Sequence, residues 1–137
     1  MSLKTSFAIT TAVGIAAACA FAADADTSKL PPPSTKTGVT YATDIKPIFD
    51  ASCIKCHGEQ KPKGKLNLTN LAGILKGGED GKAVEPGNSA KSQLVLNVAH
   101  LGDEDDFMPP PKNKLGLKKL TDEQIGLIRA WIDQGAK

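Results

Sequence analysis

The sequence predicts an all-α domain. No stretch alternates apolar and polar side chains with a period of two. Apolar residues recur instead at i, i+3 and i+4 in several short segments, and capping residues stand where those segments begin and end. There is no internal repeat. Residues 43–52, TDIKPIFDAS, read as the first helix: Thr43 caps it, Asp44 suits the positive end of the helix dipole, and Pro47 falls in the first turn. Ile45, Ile48 and Phe49 share its inner face. The helix runs into Cys53, and GEQKPKGKLN, just beyond, is a Gly/Pro/Lys loop.

Next, TNLAGILKGG gives one or two turns ended by Gly77–Gly78. A longer helix is expected over PGNSAKSQLVLNVAHLG, capped near Asn88, with Leu94, Val95 and Val98 on one face and its stop at Gly102. A loop follows through DEDDFMPPPKNKLGLKK. The last helix has the fullest set of signals. Thr121 and Gln124 form a capping box, and Leu120 can staple onto Ile125. Ile125, Ile128 and Ile132 make an inward stripe with Trp131 beside it, and Gly135 sits where a C′ glycine belongs.

The chain of 137 residues opens with one cation, Lys4, then an uncharged run to Ala23 that closes with Ala20 and Ala22 around Phe21. A charged start, an apolar middle and an A-x-A end read as a secretory signal peptide over residues 1–22. The run is too diluted by Thr, Ser and Gly for a membrane span, which takes about 20 strongly apolar residues. Cys19 would tether the chain to a membrane if it carried a lipid, but Ala16 stands where the usual leucine of such a site would be. Removing residues 1–22 takes away Lys4 and Cys19 and leaves 115 residues, enough for one domain. The 17 basic side chains fall to 16 against 15 acidic ones, so nothing supports nucleic-acid binding. Residues 23–40, polar and with three consecutive prolines, read as a flexible, Pro-rich leader outside the core. The domain proper is 41–137. It holds four aromatics, Tyr41, Phe49, Phe107 and Trp131, few for its size, and a buried apolar cofactor would make up the deficit.

The chemistry is concentrated in ASCIKCHGEQ, residues 51–60. A redox dithiol of thioredoxin type wants a preceding strand and a βαβ context, and this motif follows a helix. A closed zinc site needs four ligands, usually in two pairs, and beyond Cys53, Cys56 and His57 only His100 remains. Covalent haem attachment uses every part of C-x-x-C-H: two thiols add to the vinyl groups of the macrocycle, and the histidine is held beneath the iron. The oxidising exported compartment agrees with that choice.

Several segments then occur in a fixed order: DIKPIF at 44–49, CIKCHG at 53–58, KGKLNL at 63–68, GG at 77–78, PGNSAKSQL at 86–94, MPP at 108–110 and IRAWIDQGA at 128–136. In this series the chain resembles the c-type cytochromes, and more narrowly the planctomycete-type cytochrome c domain, a class I-like monohaem unit. The resemblance implies a small helical domain wrapped around one covalently attached haem c, with the first and last helices crossing beside it. It implies a one-electron carrier between redox partner proteins, periplasmic or otherwise exported, and not an enzyme in itself.

The haem-binding residues expected are Cys53, Cys56, His57 and Met108, with His57 and Met108 on the iron. MPP matches the family's ligand position, and the prolines after Met108 restrict its loop. His100 is the competitor for the sixth position, but it ends a helix, where histidine commonly serves as a cation. A sixth position left open would instead make a gas sensor or a peroxide-reducing enzyme. Leu66, Leu68, Leu71, Leu94, Val98, Leu115 and Leu117 are candidates for the apolar wall. Lys61, Lys63 and Lys65 after the motif, with Lys112, Lys114, Lys118 and Lys119 after the methionine, are expected to rim the haem edge, opposed by the acidic run Asp103–Asp106.

Overall fold

The structure, a computed structural model, describes residues 25–137. The expected signal peptide and Cys19 lie outside the described residues. Among the described residues four α-helices occur in order: α1 (Lys46–Ser52), α2 (Leu71–Lys76), α3 (Gln93–Ala99) and α4 (Asp122–Asp133), with short 3₁₀ turns in the loops between them. Among the described residues there is no strand, only an isolated bridge between Gly78 and Gly81. The fold class is all-α, as expected.

The first helical segment begins earlier than its sequence suggests. A π-helical turn, Tyr41–Ile45, precedes α1, and the cap is Thr40, whose hydroxyl accepts from the Thr43 N–H. Thr43 lies inside the turn. The Asp44 carboxylate accepts from the Lys36 ammonium, the Thr40 N–H at 2.9 Å and the Thr43 hydroxyl at 2.9 Å. These bonds, Lys36 foremost, hold its pKa down at about 2. The π turn buries Tyr41 and Ile45.

The segment before α3 is not one long helix. Asn88 does act as a cap, but of a 3₁₀ turn, Ser89–Lys91, and the chain is extended at Ser92 before α3 starts. Ser92 is fully buried, and its hydroxyl donates to the Asn88 carbonyl while accepting from the Glu85 N–H. Such local side-chain bonds compete with the helical ladder, and here they break it.

The capping box of α4 is present in full, Thr121 Oγ1 accepting from Gln124 N–H and Gln124 Oε1 from Thr121 N–H. Ile125, Ile128, Trp131 and Ile132 are completely buried. Helix α4 packs on α3 and on the π turn. There the aromatics meet, Tyr41 lying 6.3 Å from Phe49 and 6.2 Å from Trp131 between ring centres. Three of the four aromatics thus form one cluster at the crossing of the first and last helical segments. Phe107 lies apart from it, stacked on His100.

The leader differs from expectation. Its described part is extended apart from a 3₁₀ turn at Thr27–Lys29, yet Leu30 and Val39 are buried in the core. Ser34 N–H donates to the Gly126 carbonyl at 2.8 Å, and Arg129 donates from Nη1 to the Pro31 carbonyl and from Nε to Ser89 Oγ. A β-carbon at position 126 would stand 2.8 Å from the Pro32 carbonyl oxygen, so the glycine is what lets the proline run lie on α4. The proline run removes backbone donors but leaves its carbonyls free to accept, and Arg129 takes one of them. Leu30, Pro31, Ser34 and Val39 therefore pack on or bond to the helical core.

Candidate functional site

Helix α1 delivers the motif. The Cys53 N–H donates to the Phe49 carbonyl at 2.8 Å, so helical bonding runs into the first cysteine. The Cys53 carbonyl then accepts from the N–H groups of Cys56 (3.1 Å) and His57 (2.9 Å), closing CIKCH into a single turn. Both cysteines are half-buried, and no disulfide joins them. Burial pushes the Cys53 thiol up to about 12, with Cys56 beside it adding to the effect. Redox-active dithiols need the opposite, a depressed pKa.

The loop behind the motif folds back on it. Lys63 N–H donates to the Cys56 carbonyl and Leu68 N–H to the His57 carbonyl, each at 2.9 Å. Nδ1 of His57 lies 3.1 Å from the Lys63 carbonyl oxygen and 3.2 Å from that of Leu66. A carbonyl oxygen only accepts, so Nδ1 carries the proton and Nε2 keeps its lone pair. Burial also pushes the His57 pKa below the ordinary imidazole value, which favours the neutral ring, the form that binds a metal. The turn supplying the two carbonyls, around Lys63–Lys65, depends on Gly78. A β-carbon there would stand 2.4 Å from the Gly64 carbonyl oxygen and 3.2 Å from Leu66 Cβ.

Cys53, Cys56, His57 and Met108 line one cleft of about 630 Å³, counted with its open mouth. Five of the seven expected wall residues line it too: Leu66, Leu68, Leu94, Val98 and Leu117. Leu71 packs against the core instead, and Leu115 is 49% exposed, so neither belongs to the wall. A second, more polar groove adjoins the first, sharing His57, Leu66, Leu94, Asn97 and Met108 and adding Lys63, Lys82, Lys91, Asp80 and Asp106.

Met108 is half-buried, its N–H donating to the Asn97 carbonyl at 3.0 Å. His100 lines neither cavity. Its Nε2 lies 3.1 Å from the Pro109 carbonyl oxygen, so that nitrogen holds a proton, and its ring stacks on Phe107. Among the described residues no group of three or more His, Cys, Asp or Glu side chains could hold a metal ion, so a four-ligand zinc site lacks its second pair. Two thiols, an imidazole with a free Nε2 and a thioether on one apolar cleft are a donor set that fits a covalently attached haem.

Residues 53–112 match the family model for planctomycete cytochrome C. They form a planctomycete-type cytochrome c domain. The match begins at Cys53 and takes in the second cysteine, His57 and Met108. Haem-based electron transfer is the chemistry of such cytochrome domains, and haem c is the cofactor the family implies. A curated relative, hydrazine synthase subunit alpha of Kuenenia stuttgartiensis, is 32% identical over 123 residues, covering 72% of this chain. The aligned region is 15% of that subunit, so the likeness concerns one part of a larger protein. No solved structure matches the chain at a significant level.

The cytochrome domain has site residues that sequence reasoning passed over. The carbonyls of Lys63 and Leu66 fix the His57 tautomer, and the Asn97 carbonyl holds Met108. Backbone carbonyls have no side-chain signature. Gly64, at φ +58 within KGK, was the one available hint that this loop makes a defined turn.

Proposed function

We propose that this chain is an exported, monohaem c-type cytochrome that carries single electrons between redox partner proteins. The observation that carries the proposal is His57. Its Nδ1 proton is committed to two backbone carbonyls, which leaves Nε2 free, and the residue lines an apolar cleft together with Cys53, Cys56 and Met108. In this arrangement Cys53 and Cys56 would form the two thioethers, and His57 and Met108 would ligate the iron. The bound haem supplies one-electron ferric/ferrous chemistry. The chain's own contribution is to orient the imidazole, hold the thioether sulfur and keep water from the cleft with its leucine and valine walls. Lys63, Lys82 and Lys91 in the adjoining groove suit the two carboxylates a haem carries.

Met108 lies in the cleft and His100 is engaged elsewhere, which favours an electron carrier over a site with an open sixth position. Coulometric titration tests the proposal: one electron per chain with a one-electron Nernst slope is expected. Uptake of two electrons in a single two-electron step would instead mark a Cys53/Cys56 dithiol.

All seven lysines expected to rim the haem edge are exposed, although Lys65 pairs with Glu79 at 3.7 Å and the run Asp103–Asp106 is exposed as well. The proposed partners present an acidic face to this rim. Their reaction with the cytochrome should slow as ionic strength rises, and a rate indifferent to salt would remove the rim from the account.

A further inference from the structure

The loop that carries Met108 leaves the end of α3 and returns to it, and both ends are tied to one atom. The Asn97 carbonyl oxygen accepts from the His100 N–H at 3.2 Å and from the Met108 N–H at 3.0 Å. His100 is the C-cap of α3 and adopts the left-handed conformation, φ 57 and ψ 48. Glycine or asparagine usually takes such a position, and histidine is among the few other side chains that adopt it. Its side chain accounts for the choice. The imidazole stacks on Phe107 with ring centres 4.7 Å apart and planes 9° from parallel, and Nε2–H donates to the Pro109 carbonyl at 3.1 Å. One side chain thus grips both neighbours of Met108 in sequence, while the methionine itself lines the cleft.

We propose that His100 is a positioning residue, bracing the loop on both flanks of Met108 so that the thioether stays on the iron. The inference rests on Met108 being the sixth ligand. A thioether is a weak ligand, so the order of its loop decides how readily a competing ligand displaces it.

The test uses purified ferric holoprotein titrated with imidazole, together with the far-red sulfur-to-iron band. Glycine accepts φ 57 without strain, so His100→Gly removes the side chain's contacts alone. It should bind imidazole about tenfold more tightly, the scale of one hydrogen bond with one aromatic contact, and weaken the band. His100→Gln, which can still donate to the Pro109 carbonyl, should fall between that variant and wild type. Thr121→Ala, which removes the α4 cap and touches none of the contacts His100 makes with Phe107 and Pro109, should lower stability and leave imidazole affinity unchanged. If the band is present in the wild type but His100→Gly binds imidazole no more tightly, the brace is wrong and the ligand reading stands. Equal gains in His100→Gly and Thr121→Ala would also overturn the brace, reducing it to general loosening. A wild type without the band would overturn the ligand reading and the brace with it.

Discussion

Replacing both Cys53 and Cys56 with alanine is expected to abolish covalent haem, so that acid–acetone extracts all colour and the chain mass matches the bare polypeptide. Cys56→Ala alone should leave one thioether through Cys53, with the yield of haem-bearing protein sharply reduced. The expectation follows from the turn itself. Both thiols project from one hydrogen-bonded loop closed on the Cys53 carbonyl, directly beside the imidazole that would hold the iron. Removing one thiol leaves that turn's backbone bonds intact. The loss should therefore appear in attachment rather than in folding of α1, and far-ultraviolet circular dichroism of the single variant separates the two. Unchanged haem mass in the double variant would show that attachment lies elsewhere.

Met108→Ala carries the second large effect. The far-red band should vanish, and the midpoint potential should fall by on the order of 0.1 V or more, within the roughly 0.8 V span that axial ligands control. Histidine/methionine ligation raises the potential relative to bis-histidine, so losing the thioether moves it downward. The competing ligand, His100, has its Nε2 proton on the Pro109 carbonyl and its ring against Phe107, and it lines neither cavity. A band that survives Met108→Ala would make Met108 a core filler and return the sixth position to another residue.

What the sequence revealed follows a physical division. Helix α4 was legible because its signals are local: Thr121 and Gln124 cap it, and the isoleucine stripe repeats at helical spacing. The start of the first helical segment was misplaced because Thr40 and Thr43 are equally good caps by type. Only the wider π turn, with Asp44 turned back onto the Thr40 N–H, selects the first. The break at Ser92 depends on Glu85, seven residues away, and Leu30 and Val39 are isolated apolar residues in a polar leader. Their burial arises from tertiary contacts with no periodic trace in the sequence.

The site divides in the same way. CIKCH is contiguous and specific, and MPP marks the methionine by a pattern of side chains. The structure brings all four residues to one cleft. The features that orient them are main-chain carbonyls of Lys63, Leu66 and Asn97, and a left-handed histidine that reaches residues seven and nine positions on. Every residue has a carbonyl, so composition cannot single these out. Leu115 was misjudged for a related reason: a leucine in a loop between prolines and lysines has no periodicity to say which way it faces.

The most direct test of the central claim is the mass of the purified, denatured chain, read with the visible spectrum of its alkaline pyridine derivative. The account predicts a mass exceeding the polypeptide by one haem and the spectrum of a macrocycle whose vinyl groups have both been converted to thioethers. A colourless chain at polypeptide mass, with Cys53 and Cys56 both titrating as thiols, would contradict it.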